Sequence, residues 1–294
     1  MRDKSASGWF TWGSRLPRNP GCRAAMILLF SYALGFVLPA TGAVMSLVAA
    51  YHGAHATAST DSIAAEVVND AVPLALSLLA ATLGIRSATR APLAMRGTDL
   101  GLRRPAAISH SQAAGTSLMY IATLTAASIV TDRLLAVLGV QADSPTGPTD
   151  RLPVALVDNA WAGLFEEPIL LGLTIGLAVR LRWRWWVVLG LLIVMRGAFH
   201  VYYGPGVVFV IPWMCGAYLL YRRCPLLWPF VLAHGTYDVL VNLTDNGATT
   251  ASVTATVIQD TLAILGTLIA ARVALTHLRT RGPAASPART GQHS

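Results

Sequence analysis

Two adjacent glutamates inside an apolar segment are the residues of this sequence most suited to chemistry. Glu166 and Glu167 lie in the middle of the segment 164–171. An ionisable group near the centre of a bilayer costs about 2.5 to 3.5 kcal/mol, so such a group is a candidate for function. Adjacent helical residues point about 100° apart, so one carboxylate can face a cavity while the other pairs with a neighbouring helix. The first could act as a general base towards water; purely structural carboxylates are the alternative.

Histidines further along the chain share helix faces with charged residues. Arg196 and His200 are one helical turn apart, as are His234 and Asp238, and Asn242 extends the second face by another turn. Each histidine alone could be a packing residue. Together with the two glutamates, however, they could form a site on three helices. There a carboxylate would polarise water, and the imidazoles would bind a metal or donate hydrogen bonds to an oxyanion.

Other catalytic and metal-binding patterns are missing from the sequence. It contains no His-Glu-x-x-His zinc motif, no Gly-x-Ser-x-Gly nucleophile turn and no nucleotide-binding glycine loop. Cys22, Cys215 and Cys224 have unrelated spacings, which excludes a disulfide framework and a Cys-x-x-Cys metal site. A catalytic site in this chain must therefore be built from glutamate and histidine.

The composition indicates that membrane-spanning helices position these residues. Of the 294 residues, 54% are hydrophobic and only 12% are charged, whereas soluble domains carry about 25% charged residues. A helix needs about 20 apolar residues to cross a bilayer. Eight runs of suitable length occur, at residues 24–50, 63–84, 111–140, 154–179, 185–203, 206–221, 225–243 and 252–275. The sequence therefore predicts an all-α, polytopic membrane bundle of about eight transmembrane helices.

The basic residues predict how this bundle is oriented. If the N-terminus is cytoplasmic, all but three of the 22 Lys and Arg residues fall in cytoplasmic segments; the exceptions are Arg133, Arg151 and Arg196. Such enrichment is typical of cytoplasmic loops. We therefore expect both termini in the cytoplasm of a multi-pass protein of the plasma membrane. Because the charges punctuate apolar runs instead of clustering on one face, the net charge of +8 does not indicate a nucleic-acid partner.

The same reasoning predicts the organisation of the chain. We expect a basic, interfacial N-terminal segment at 1–23, the transmembrane bundle at 24–275 and a disordered cytoplasmic tail at 276–294. Pro168 predicts a kink near residues 160–164. The topology places Glu166 near mid-membrane but His200 towards the outer end of its run, so the two can meet only if the fifth run is tilted.

In order and spacing, these motifs resemble those of the CPBP family of intramembrane proteases, which includes CAAX proteases and bacteriocin-processing proteins. Members share Glu-Glu-x-x-x-Arg, Phe-x-x-x-His and His-x-x-x-Asn or Asp on separate helices. Here the first corresponds to Glu166-Glu167, the second ends at His200, and the third runs from His234 to Asp238. The segment 99–105 resembles a cytoplasmic segment of bacterial members, so the resemblance covers about residues 98–242.

The resemblance implies roles for each of these residues. Glu166 would activate water for attack on a peptide carbonyl, and Glu167 would assist or orient it. His200 and His234 would bind a metal or stabilise the oxyanion. Asp238 would orient His234 or help to bind the transition state. Glu166, His200 and His234 could hold zinc with one open position, or act without a metal; the substrate would be a membrane-associated peptide or protein of the CAAX or leader-peptide type.

Two positions depart from the family pattern. Leu171 replaces the motif arginine, and Arg196 replaces the motif phenylalanine. We interpret this as an exchange, in which Arg196 on the fifth run pairs with Glu167 and keeps it ionised. The departures leave a non-catalytic homologue, such as an immunity or scaffold protein, as an alternative. A proton-coupled transporter is a further alternative, although no pair of interrupted helices in symmetric halves is visible.

Overall fold

Helices account for all the regular structure in the part of the chain that the computed structural model describes, residues 19–52, 63–140, 152–246 and 249–280. A π-helical turn, Pro168–Leu173, joins α4 to α5, and a 3-10 segment, Val201–Phe209, joins α6 to α7. The helices are α1 (Pro20–Tyr51), α2 (Ile63–Ala88), α3 (His110–Val137), α4 (Leu152–Glu167), α5 (Thr174–Arg180), α6 (Trp185–His200), α7 (Val210–Arg223), α8 (Trp228–Asn246) and α9 (Thr249–Thr280). The predicted all-α class is confirmed.

Several of these helices are long and apolar enough to cross a bilayer. Among the described residues there are 6 such spans: Pro20–Ala49, Ala71–Ala88, His110–Val137, Leu156–Arg180, Trp185–Arg223 and Thr250–Thr276. The protein is therefore a multi-pass membrane protein. The fifth and sixth predicted runs form a single span by this measure, and α8, which carries His234 and Asp238, is not among them. The count of eight, the cytoplasmic termini and the plasma membrane stay predictions.

The proline after the two glutamates changes the helix differently from the prediction. No kink region separates residues 160–164 from the rest of α4, which is α-helical as far as Glu167. The irregular turn follows Pro168 instead, where the N–H of Thr174 reaches back five residues to the carbonyl of Ile169. Because proline lacks an N–H, the helix accommodates it by widening one turn. This π turn begins directly after the glutamate pair.

The run of α4, the π turn and α5 lies in the centre of the bundle. In the span Leu156–Arg180, 78% of the most apolar window is buried, against 11% for Thr250–Thr276 in α9. Leu171 of the π turn belongs to a buried cluster with Trp213 of α7 and Phe230 of α8. The glutamates therefore point into protein rather than lipid.

Helices α4 and α8 approach each other closely through glycine. A Cβ atom on Gly163 would lie 2.2 Å from the carbonyl oxygen of Val231, and one on Gly235 would lie 2.6 Å from that of Ala160. Small residues permit this approach of two backbones within a membrane. The contact brings His234, next to Gly235, against the end of α4.

Parts of several predictions lie outside the described residues. These parts are 1–18 of the N-terminal segment and 281–294 of the tail. The described helix α9 continues to Thr280, past the boundary predicted at residue 275.

Candidate active site

Glu167 is fully buried and is held by side chains from three other helices. Its Oε1 atom accepts hydrogen bonds from the Tyr120 hydroxyl of α3 at 3.0 Å and from Nη2 of Arg196 of α6 at 3.0 Å. Nδ1 of His234, from α8, lies 2.8 Å from the same oxygen. This carboxylate is thus fixed in place and connects α3, α4, α6 and α8.

Arg196 is a fully buried cation between the two carboxylates. The predicted pairing with Glu167 is confirmed, and the same Nη2 atom also lies 3.1 Å from Oε2 of Glu166, a contact that the sequence did not predict. The guanidinium carbon lies 4.0 Å from the centre of the Trp213 ring, within the range of a cation–π interaction. Two carboxylates and one indole offset the cost of burying this charge.

Glu166 has a different environment from its neighbour. Its Oε2 atom is within ion-pair distance of Arg196, but it has no aligned hydrogen-bond donor among the described residues. The residue is 6% exposed, whereas Glu167 is 0% exposed. Oε2 of Glu167 also lacks a partner in the described part of the chain. The angle of about 100° between adjacent helical residues separates the two side chains, so the Oε1 atom of Glu167 is held by donors from other helices while Glu166 retains some exposure.

His234 lies between carboxylates on both sides of its ring. Its Nε2 atom is 3.2 Å from Oδ2 of Asp238 and 4.0 Å from Oε2 of Glu166, while Nδ1 faces Glu167. Both ring nitrogens therefore lie within ion-pair distance of acidic oxygens, although Nδ1 is not aligned for a hydrogen bond. The Asp238 side chain is 25% exposed, so the cluster opens on the side of Asp238.

His200 and Asn242 lie beside this cluster. Nδ1 of His200 is 3.0 Å from the carbonyl oxygen of Arg196, and aromatic rings such as Tyr203 and Trp213 pack around the imidazole. Because a carbonyl oxygen can only accept, Nδ1 donates and Nε2 of the neutral ring is left as an acceptor. Oδ1 of Asn242 is buried without a partner among the described residues. The fifth predicted run thus brings Arg196, and not His200, into contact with the carboxylates.

The family comparison agrees with this arrangement of residues. Residues 148–240 match the family model described as type II CAAX prenyl endopeptidase Rce1-like. This segment is therefore similar to a Rce1-like domain. It contains the three motifs but neither Asn242 nor the upstream part of the range 98–242. No curated protein and no solved structure matches the chain.

The match confirms the resemblance to CPBP intramembrane proteases. The Rce1-like domain includes Glu166, Glu167, Arg196, His234 and Asp238, whose side chains form the contacts above. The chain is thus a multi-pass membrane protein in which one segment is similar to a CAAX-type protease family.

The sequence did not identify two aromatic residues that hold the cluster. The indole N–H of Trp213 donates to the Tyr120 hydroxyl at 2.9 Å, and that hydroxyl donates to Glu167. Tyr120 lies outside the matched segment, on α3. Tyrosine and tryptophan cost little free energy to place in an apolar run. The cost of burying charge, which identified the other site residues, therefore does not mark these two.

The predicted zinc ligands do not form a metal-binding group. Among the described residues, no set of three or more His, Cys, Asp and Glu side chains could hold a metal ion. The available oxygen of Glu166 lies 3.1 Å from the Arg196 cation, and His200 Nδ1 is directed to a backbone carbonyl. In this arrangement the described residues do not fit zinc. A zinc-bound form stays an untested prediction.

Proposed function

We propose that the Rce1-like domain is an intramembrane endopeptidase in which Glu166 activates water. The observation that supports it is the difference between two adjacent carboxylates. Oε2 of each glutamate lacks an aligned hydrogen-bond donor among the described residues. Glu167, however, is fully buried and its Oε1 atom accepts from Tyr120 and Arg196, whereas Glu166 keeps 6% exposure on the side of the open cluster. A general base needs an oxygen that can accept a proton from water.

The proposed reaction uses only groups of this chain. Glu166 takes a proton from water as the water oxygen bonds to the carbonyl carbon of the scissile peptide. The tetrahedral intermediate then collapses, the C–N bond breaks, and protonated Glu166 gives its proton to the leaving nitrogen. The products are a carboxylic acid and an amine, and the carboxylate of Glu166 is regenerated.

The neighbouring groups would stabilise the negative charge that develops on the carbonyl oxygen. Nε and Nη1 of Arg196 are buried donors without partners in the described part of the chain. Donors held in a dry site stabilise an oxyanion more strongly than water does. His200, with Nε2 as an acceptor, would orient the attacking water. Asp238 would hold His234.

The family suggests the substrate class. The matching model describes CAAX prenyl endopeptidases, so we propose a membrane-associated peptide with a prenylated cysteine near its C-terminus. Leader-type peptides, processed by other members of the resembled family, are the second class.

The experiment is cleavage of a defined probe by purified protein in liposomes. We expect wild-type protein to cleave an internally quenched, farnesylated CAAX peptide or a member of a leader-peptide library, and Glu166→Gln to lose cleavage at least about 100-fold. Thermal unfolding of both proteins serves as the control for folding. Cleavage by Glu166→Gln at the wild-type rate would remove Glu166 as the base.

One observation favours the non-catalytic alternative. The Arg196 cation contacts Glu166 at 3.1 Å, and an ion pair of this kind weakens a base. If wild-type protein cleaves neither probe but Arg196→Phe combined with Leu171→Arg does, the chain is an inactive homologue whose arginine blocks the base.

A further inference from the structure

An open cleft lies at the far end of α5, away from the carboxylates. Its volume is about 760 Å³, and Ile175 and Gly176 of α5 form part of its wall. Gly176 lies ten residues beyond Glu166, which corresponds to roughly 15 Å along the helical run. The cleft is therefore separate from the candidate active site.

Arginines from three segments converge on this cleft. Arg96 comes from the loop after α2, Arg180 and Arg182 from the end of α5, and Arg222 from the end of α7. The acidic residue in the lining is Asp99, whose carboxylate accepts from the backbone N–H of Arg96 at 2.7 Å. The lining thus carries a clear excess of positive charge.

The guanidinium groups have polar contacts but no acidic partner within the described ranges. Nε of Arg180 donates to the carbonyl of Leu93 at 3.0 Å, and Nη1 of Arg222 donates to the Tyr218 hydroxyl at 3.1 Å. Both partners are uncharged and orient the side chains. The positive charge of the cleft is left for a ligand.

The position of the cleft indicates where that ligand comes from. The spans Leu156–Arg180 and Trp185–Arg223 end and begin beside it. Trp185 and Trp186 are exposed there, and exposed tryptophans are typical of the boundary between hydrocarbon and headgroups. The mouth of the cleft therefore lies at the level of lipid phosphates.

Membrane topology alone does not explain the arrangement. Enrichment of arginine on one side of a membrane requires only that the residues lie on that side. Arg184 and Arg223 meet this requirement, yet they are not part of the lining. The convergence of four other arginines on one cavity is a separate property.

We propose that this cleft binds the phosphate headgroup of an anionic phospholipid. Guanidinium groups match phosphate oxygens in geometry and charge and form paired hydrogen bonds with them. Basic pockets between membrane helices bind acidic headgroups in this way. The acyl chains of the lipid would lie along the exposed face that includes Val179.

The test compares two charge-matched double variants. Arg182→Gln with Arg222→Gln removes two cleft arginines, and Arg184→Gln with Arg223→Gln removes two neighbouring arginines outside the cleft. Binding of phosphatidylglycerol to purified protein is measured by native mass spectrometry, with phosphatidylcholine as the neutral reference. We expect the cleft pair to weaken phosphatidylglycerol binding about tenfold or more and the control pair to change it less than about twofold.

The outcomes of this experiment distinguish lipid binding in the cleft from general surface attraction and from binding of a soluble anion. Equal loss in both pairs would mean general attraction to the surface and would overturn the proposal, as would full retention by the cleft pair. Competition by inorganic phosphate at the affinity of the lipid would reassign the cleft to a soluble anion. Thermal unfolding in phosphatidylcholine alone verifies folding, and Arg182→Lys with Arg222→Lys should restore part of the binding.

Discussion

At the scale of single residues, the two adjacent carboxylates differ in exposure and in the number of their contacts. Oε1 of Glu167 accepts from Tyr120 and Arg196 and lies 2.8 Å from Nδ1 of His234. Among the described residues, the ion-pair contacts of Glu166 are with the Arg196 cation and the more distant imidazole of His234. A fully buried carboxylate that neutralises a buried cation has a structural role, because its removal leaves the cation unpaired. A carboxylate that retains some exposure, such as Glu166, can reach water and exchange a proton with a substrate.

Replacing glutamate by glutamine should affect mainly stability at position 167 and mainly cleavage at position 166. Glu167→Gln should lower the free energy of unfolding by about 3 kcal/mol or more, because it removes the main counter-charge of buried Arg196. Glu166→Gln should change stability by less and abolish cleavage. Denaturant titration in detergent and the peptide assay measure the two effects. Equal loss of stability in both variants would contradict the division of roles.

The role of Tyr120 in holding Glu167 can be tested by removing the hydroxyl oxygen of the tyrosine. Tyr120→Phe removes a hydrogen bond to Glu167 and the acceptor of Trp213 Nε1. We expect it to destabilise the protein by about 1 to 3 kcal/mol, since two buried groups lose a partner. Tyr218→Phe, which loses only a contact with exposed Arg222, is the matched control. The same unfolding measurement applies, and no difference between the two would contradict the role of Tyr120.

At the scale of elements, the site depends on the distance between α4 and α8. These helices carry the glutamates and His234, and their backbones meet at Gly163 and Gly235. The π turn after Glu167 leads into α5, whose Ile175 and Gly176 line the cleft. The glutamate pair thus lies between a close helix contact on one side and an irregular turn on the other.

The close contact between α4 and α8 predicts that the protein tolerates no larger side chain at position 235 without loss of stability. Gly235→Ala should lower the free energy of unfolding by about 1 to 3 kcal/mol and reduce cleavage, because the added carbon meets the carbonyl of Ala160. Gly190→Ala is the control, since a Cβ there meets nothing within 4 Å. That variant should be neutral or slightly stabilised. A neutral Gly235→Ala would show that the close approach is not required.

The interpretation that Arg196 replaces the motif arginine can be tested by moving the positive charge from position 196 to position 171. Arg196→Leu should lose stability and activity, because Glu167 is then buried without its cation. Adding Leu171→Arg returns a cation one turn after Glu167 and should recover part of both. Unfolding and cleavage are compared for the single and double variants. If the double variant is no better than Arg196→Leu, position 171 does not provide an equivalent cation.

At the scale of the whole molecule, the arginine distribution predicts that both ends of the chain lie in the cytoplasm. Cys22 is exposed on the first turn of α1. In a variant that lacks Cys215 and Cys224, we expect a membrane-impermeant maleimide to label Cys22 only after permeabilisation. Ser144→Cys, in a predicted external loop, should be labelled in intact cells. Labelling of Cys22 in intact cells would reverse the topology.

The all-α membrane class could be predicted because the apolar runs that indicate it are local features of the sequence. Long apolar runs require helices in a bilayer, since the backbone must satisfy its own hydrogen bonds there. The cost of burying charge likewise identified Glu166, Glu167 and Arg196 without any structure. The kink was misplaced, because a proline can be accommodated by a widened turn after it as well as by a bend before it, and the sequence does not distinguish the two.

The helical membrane class, the residue types of the candidate site and the pairing of Arg196 with Glu167 could be predicted from the residues alone. Those predictions follow from hydrophobicity, from the cost of buried charge and from the missing motif arginine. The contact of Arg196 with Glu166, the support from Tyr120 and Trp213, and the position of His200 beside the cluster required the folded structure. These contacts depend on the register and separation of different helices, which is set by packing at positions such as Gly163, far from the residues that carry the charge.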